Sequence, residues 1–480
     1  MPTGGGFAFG PFQLDTRARV LRRNGAPVRL AKGHFDILHK FVGHAGHDVT
    51  KDELIKAGWR RVNVDDNSLE KAISALRRVL GADELDRYIE LVRQVGYRFI
   101  EPVKPFAIDP PGADLEAELE PFLAFREGRA FLQALTADEI ARGRALFEKL
   151  VKSYPGDATF LVGLATACSL QYEMTRTDAT PDTKALDDAE RHAQEARRIA
   201  SEYAEARATL GFILAQTGDL VNALAALDKA TTLEGDNWLH WLRLASVCGG
   251  ELRLRAARKV LYWMPGYPMG HVLAATVFIA RGVLAEAERE IDLAIIQMRS
   301  AFSESERFPC AAVFWLKGLL LLARMDYAGA LAAFEQELAL ESRGHLYARE
   351  CCANVWYAIG VCRTLQGDLI GAHAAYEQAL KRVANHPGAL VGLLLLLPRE
   401  ARPPLPVIES TSMEVTLAKA AALAANDDVA GAATLLCATL KALPKDSAAG
   451  WQIPVEPLLG IQRAPEAWAE VLSRLRGRAM

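Results

Sequence analysis

Paired cysteines are missing from this chain. Its seven cysteines, Cys168, Cys248, Cys310, Cys351, Cys352, Cys362 and Cys437, are odd in number and scattered, and no Cys-x-x-Cys pair faces another. This spacing argues against a disulfide framework and a zinc site, and the residues read as reduced core thiols. Long apolar runs are missing too. Residues 391–397, and residues 311–322 with Lys317 among them, are too short or too broken to span a bilayer. The first ten residues lack a basic stretch followed by an apolar one, so no signal peptide is expected. There is no Walker-type phosphate loop, no Gly-x-Ser-x-Gly and no His-Glu-x-x-His. Of ten histidines only His34, His39, His44 and His47 cluster; the first two flank the first predicted helix and the last two straddle Gly46 at a helix end, where histidine is common, so no convergent metal site is expected. These absences predict a cytoplasmic protein that is not an enzyme, with no cofactor, no metal and no membrane partner.

What is present points to more than one domain. The chain has 480 residues, 51% of them hydrophobic, too many for one ordinary core and too apolar for a disordered chain. Charge is unevenly spread. Residues 1–100 hold 17 Lys/Arg against 12 Asp/Glu, a net of +5, while the whole chain is −3, leaving −8 for the rest. A basic head on an acidic body suits a protein that meets phosphates with one end only.

Residues 67–80, NSLEKAISALRRVL, carry the sharpest signal in that head. At 100° per residue, Leu69, Ile73, Leu76 and Leu80 share one side of a helix; Asn67, Lys71, Ser74 and Arg78 form a slim stripe opposite. Such a helix is either an ordinary surface helix with a solvated face or one seated to touch an anionic partner, for which the DNA major groove is suited. Asp65-Asp66-Asn67-Ser68 followed by Glu70 marks its start, so Asn67 reads either as a cap or as a base reader. After it, two alternating runs, residues 88–92 and 96–100, flank Arg93-Gln94-Val95 and predict a β-hairpin with Arg93 at its tip. Before it lie helical patterns over residues 31–45 and 50–57, and a polar loop over residues 59–66. Residues 7–30 read as short strands with turns near Asp15 and at Asn24-Gly25.

The blocks LAKGHFDILHKFVGHAGHDVTKDELIKAGW, DNSLEKAISALRRVLG and YIELVRQVGYRF occur in that order, and over residues 7–101 the chain resembles the OmpR/PhoB-type winged-helix effector domain. The resemblance implies an α+β winged helix-turn-helix fold that binds double-stranded DNA. Its third helix would enter the major groove with Lys71, Ser74 and Arg78, Arg77 lying beside them. Its hairpin wing would place Arg93 in the neighbouring minor groove. Its loop before the third helix would contact RNA polymerase, here through Trp59, Arg60, Arg61, Asn63 and Asp65, and binding as a dimer on DNA fits the same resemblance. Two departures stand out: Gln94 where the family often has glycine, and Ala72 where many members have histidine.

A proline-rich stretch, residues 102–112, follows as a linker with four prolines and one glycine. Beyond it, self-similarity recurs. Gly211, Gly218-Asp219, Ala223, Leu227 and Ala230 match Gly360, Gly367-Asp368, Ala372, Tyr376 and Ala379. Partial copies are Gly318, Asp326, Ala330, Phe334; Ala275, Gly282, Ala287, Ile291, Ala294; and Asp427, Ala432, Leu436. The pattern resembles the tetratricopeptide repeat. It implies an all-α solenoid over residues 113–480, with a capping helix at residues 465–476. By register the first helices would show Glu205, Phe212, Arg243, Trp315, Leu319, Asn354, Tyr357 and Val361 to a concave groove. Of these, Arg243, Trp315, Asn354 and Tyr357 are candidate ligand contacts. Trp315 and Tyr357 read either as groove or as packing between repeats.

The layout is winged helix over residues 1–101, linker, then repeats. It is similar to soluble one-component regulators of the HilA type and differs from CadC-type regulators, which carry a membrane span between the parts. The expected function is bacterial transcription regulation, with a protein or small-molecule effector acting on the repeats. The alternative is a repeat scaffold whose winged helix docks protein instead of DNA.

Overall fold

The computed structural model describes residues 5–59, 66–81, 88–107, 113–299, 310–402 and 412–480. It divides into two compact units, residues 1–120 and 121–480.

The first unit is α+β. Strands β1 (Gly5–Phe9), β2 (Phe12–Asp15), β3 (Val20–Arg23) and β4 (Ala26–Val28) form an antiparallel meander. The turns are dictated locally. Asp15 Oδ1 accepts from the Arg17 and Ala18 amides, closing one turn at 2.9 and 2.7 Å. Asn24 and Gly25 both sit at positive φ, as a two-residue hairpin demands. Helices α1 (Lys32–Gly43) and α2 (Lys51–Gly58) follow, separated by the short strand β5 (Asp48–Thr50). Thr50 and Glu53 form a capping box at the start of α2. Those hydrogen bonds and Lys40 hold the Glu53 carboxyl down at about 2. Helix α3 (Asp66–Gly81) precedes the hairpin β6 (Ile89–Val92) and β7 (Gly96–Phe99). The core is an aromatic cluster in which Phe9 packs edge-on to Phe99 at 5.2 Å and Phe12 edge-on to Tyr88 at 5.8 Å.

Two strands were not evident from residue pattern. β5 pairs with β7, so the wing belongs to a three-stranded sheet ordered β5-β7-β6. Gly96 makes this pairing feasible: a Cβ there would lie 2.2 Å from the Val49 carbonyl oxygen. β8 (Lys104–Ala107) pairs antiparallel with β1, with Pro105 opposite Phe7. This corrects the reading of residues 102–112 as linker throughout. β8 is the edge of the five-stranded sheet β4-β3-β2-β1-β8, where a missing N–H is tolerated. The rest of the expected linker, residues 108–112, lies outside the described residues.

The second unit is built from antiparallel helix hairpins. After α4 (Ala113–Ala134) and α5 (Ala137–Ser153) come α6 (Ala158–Thr175) with α7 (Thr183–Ile199), α8 (Ala204–Gln216) with α9 (Leu220–Leu233), and α10 (Trp238–Val247) with α11 (Gly250–Trp263). Next are α12 (Met269–Ala280) with α13 (Leu284–Arg299), α14 (Val313–Ala323) with α15 (Tyr327–Leu338), and α16 (Ala348–Leu365) with α17 (Leu369–Arg382). Then α18 (Pro387–Leu395) leads into the pair α19 (Met413–Ala425) and α20 (Val429–Ala442), and α21 (Ala469–Ala479) ends the chain.

The repeated small residues are where paired helices meet. A Cβ on Gly211 would lie 2.8 Å from the Ala223 carbonyl, and one on Gly360 2.4 Å from the Tyr376 ring. The repeated aspartates are N-caps: Asp219, Asp326 and Asp368 each accept an amide three residues on. In the last copy the cap is Asp428. Asp427, which the sequence pattern put there, instead holds the left-handed position occupied elsewhere by Gly218 and Gly367.

The solenoid curls back on itself. The Leu346 amide donates to the Leu135 carbonyl at 2.6 Å, and Arg176 pairs with Glu350 at 2.5 Å. The segment after α20 crosses to the middle repeats. There the Gly249 amide donates to the Asp446 carbonyl at 2.7 Å, and Trp451 meets Trp315 edge-on at 6.2 Å. The end of the chain caps more than the last repeat: α21 packs on α11 and α12 as well as α20, and Arg281 Nε donates to the Ala479 carbonyl at 2.9 Å.

Candidate nucleic-acid interface

Helix α3 is seated by Leu69, Ala72, Ile73, Leu76 and Leu80, each no more than 2% exposed. The side chains opposite them, Lys71, Ser74 and Arg78, are exposed. The Ser74 hydroxyl donates to the Glu70 carbonyl at 2.9 Å, which leaves its oxygen lone pairs outward. Ala72, the departure from family histidine, is buried, so it alters the seat of the helix and not its outer stripe.

Arg77 is placed differently from the sequence expectation. Its Nε and Nη2 donate to the Ile89 carbonyl at 3.1 and 2.6 Å. It therefore ties α3 to the first wing strand, and the exposed stripe lacks it. Asn67 lies in the first turn of α3, which begins at Asp66. Of the expected polymerase-contact loop, Trp59 packs partly buried against the domain core, while Arg60, Arg61, Asn63 and Asp65 lie outside the described residues.

Arg93, Gln94 and Val95 form the exposed wing tip between β6 and β7. Gln94 sits at φ +64°, and the Val95 amide donates to the Val92 carbonyl at 3.1 Å. The residue that replaces the family glycine thus keeps a glycine-like conformation, at a cost of about 1 kcal/mol. Gln94→Gly should raise the stability of this unit by about 0.5–1 kcal/mol, read as a higher urea midpoint. An unchanged or lower midpoint would show that the tip stores no strain. Beyond the tip, the partly exposed Arg98 is engaged by Asp48 at 2.6 Å across β5 and β7.

In the second unit, Glu205, Phe212, Arg243, Trp315, Leu319, Asn354 and Tyr357 all border one cavity of about 780 Å³. Val361 is instead buried in the contact between repeats. Tyr357 serves both readings offered by the sequence: it packs against Tyr376, and its hydroxyl donates to Glu456 from the C-terminal segment. Asn354 Oδ1 lies 3.1 Å from His386 Nε2. Arg129, Arg176, Glu350, His386 and Glu456 also border the cavity. Repeat register could have pointed to Arg129 and Glu350, which lie on helices facing the cavity. Glu456 follows the last repeat, where register gives no signal.

No helix among the described residues is long and apolar enough to cross a membrane. No group of three or more potential metal ligands occurs among them.

Comparison with known proteins agrees with the geometry of the first unit. Residues 25–99 match the family model described as "Transcriptional regulatory protein, C terminal". The transcriptional regulator HilA of Salmonella typhimurium is 34% identical over 105 residues, covering 22% of this chain and 18% of HilA. The transcriptional activator CadC of Escherichia coli is 34% identical over 96 residues, covering 20% of this chain and 19% of CadC. The solved DNA-binding domain of Klebsiella pneumoniae RstA in complex with RstA box is 35% identical, covers 20% of this chain and 96% of that one, and has a TM-score of 0.18. The chain thus spans less than a fifth of the length of the curated relatives it matches. Residues 25–99 form an OmpR/PhoB-type winged-helix domain, of the kind used for DNA binding in transcription regulation, and the helical repeats that follow it are tetratricopeptide-like.

Proposed function

We propose that this protein is a DNA-binding transcription regulator in which α3 enters the major groove, the wing reaches the adjacent minor groove, and the repeats receive the controlling signal. The observation that carries this reading is the exposed stripe Lys71, Ser74, Arg78 on a helix whose other face is fully seated. Two cations at helical spacing supply phosphate or base contacts, and the serine supplies a small polar reader. Arg93 at an exposed tip suits a minor groove narrowed by A·T pairs, where the negative potential is strongest. RNA polymerase as a partner, and a dimer on DNA, come from the family resemblance alone.

The test is a gel shift of the full chain on duplex DNA across a salt series. Affinity for random duplex should fall steeply between low and moderate salt, because each neutralised phosphate releases counterions. Arg93→Ala should weaken binding several-fold and reduce the preference for A·T-rich flanks. If the full chain shows no salt-sensitive binding to any duplex, the scaffold alternative takes over. If binding persists but the A·T preference survives Arg93→Ala, only the wing assignment fails.

A further inference from the structure

The cavity of the repeat unit carries two separate sets of charges. One lies at α4, α8 and α10. Arg129 pairs with Glu205 at 3.2 Å, and Arg243 stands near the same carboxylate. Glu234, the other carboxylate there, is turned to His240 and Asn237, each at 3.1 Å. Two guanidinium groups therefore share Glu205. Arg243 is the less satisfied of them: its Nη1 is buried with no hydrogen-bond acceptor among the described residues, although the residue borders the cavity. Thr209 Oγ1, also at the cavity wall, is in the same condition. Buried polar atoms without partners are rare, and an unmade bond to a charged group is costly.

The other set has the opposite balance. Arg176 pairs with Glu173 at 3.0 Å and Glu350 at 2.5 Å, and Glu414 acts on both Glu350 and Glu456. Three carboxyl groups, Glu173, Glu350 and Glu414, thus act on the one guanidinium of Arg176, with Glu456 next to Glu414. The two ion pairs stand on different elements, Arg129–Glu205 on α4 and α8 and Arg176–Glu350 at the end of α6 and on α16, so the wall carries two separate clusters. Trp315, Phe212 and Leu319 add apolar surface to the same cavity. Its volume, about 780 Å³, lies within the usual range for small-molecule sites.

We propose that this cavity binds a small amphoteric molecule of the short-peptide class, with its carboxylate on Arg243, its ammonium among Glu350, Glu414 and Glu456, and an apolar body against Trp315 and Phe212. A ligand carboxylate is the kind of acceptor that Arg243 Nη1 lacks, and guanidinium–carboxylate pairing is the strong form of that bond. The ammonium offsets the excess of carboxyls at the other pole. The proposal specifies the signal received by the repeats and so rests on the reading of them as the regulated half.

The experiment is a thermal-shift screen of the full chain, without DNA, against a panel of apolar di- and tripeptides, with free amino acids as short controls, followed by calorimetry on the best binder. Its C-terminal amide and its N-acetyl derivative should each bind about tenfold more weakly or worse. Arg243→Gln should abolish the difference between acid and amide and keep that between amine and acetylamine. Glu414→Gln, at an exposed position that does not threaten folding, should narrow the second difference. The proposal is overturned if no panel member binds, if the amide binds as well as the acid, or if Arg243→Gln weakens acid and amide equally. A gel shift without ligand separates this from the DNA-binding reading: a protein that shifts DNA but binds no panel member refutes the ligand alone.

Discussion

The double substitution Lys71→Ala, Arg78→Ala should lower affinity for the specific DNA site about a hundredfold while leaving the unfolding midpoint nearly unchanged. Both side chains are exposed on α3, and the seat of the helix is made by Leu69, Ala72, Ile73, Leu76 and Leu80, none of which is touched. Surface substitutions to alanine within a helix shift stability by at most about 0.5 kcal/mol. A base contact by arginine is worth about 1–3 kcal/mol, and a lost phosphate contact adds to that. The two effects separate by readout. Loss of Arg78 alone should relax sequence preference at one position if it reads a base. Loss of Lys71 alone should weaken all sequences alike and flatten the salt dependence if it meets a phosphate. Arg77→Ala provides the contrast. It removes two hydrogen bonds to the Ile89 carbonyl, so it should destabilise the first unit and loosen the wing. If the double variant binds its site at wild-type affinity, α3 is not the groove helix.

How far residues alone went depends on the kind of contact. α3 was legible because its apolar period is uninterrupted, although it begins at Asp66, one residue before the expected cap Asn67. The wing was legible from two alternating runs about a short break. Strand β5 was hidden because its residues also cap α2, and β8 because proline argues against strands except at an edge. Arg77 was misplaced because helical angle gives the direction of Cβ and not the reach of a long side chain back to β6. In the repeats, glycine and aspartate spacing announced the hairpins, since a Cβ at Gly318 would lie 2.2 Å from the Phe334 ring. Closure of the solenoid had no local signal. Its contacts join residues far apart in sequence, as when Arg349 bonds Asp178 and the carbonyl of Met174. The cavity follows from that closure, which is why Glu456 and His386 could not be placed beside Tyr357 in advance.

Those two residues should make the repeat unit's stability respond to acid in opposite directions. His386 caps α18: its Nδ1 accepts the Ala389 amide at 3.1 Å, so its Nε2 carries the proton given to Asn354. Burial lowers it from 6.5 to about 4. As pH falls below 6.5 the unfolded chain takes up a proton there and the folded chain does not, so acidification favours unfolding until about pH 4. Glu456 is the reverse case. Burial, with Glu414 nearby, raises it from 4.5 to about 7 in spite of the Tyr357 hydroxyl. The folded chain protonates it first, so its contribution is complete below 4.5 and is lost as pH rises through 7. Between pH 7 and pH 5 each effect amounts to about 2 kcal/mol, and they nearly cancel. His386→Asn keeps a capping acceptor and removes the acid-labile group, so this variant should gain thermal stability on going from pH 7 to pH 5 relative to the parent. Glu456→Gln keeps a partner for Tyr357 and removes the opposing group, so it should lose stability over the same interval. The two variants should differ by about 4 kcal/mol in that pH response. Parallel pH profiles for parent and both variants would mean that neither group changes its proton affinity on folding, and the enclosure of this end of the cavity would have to be redrawn.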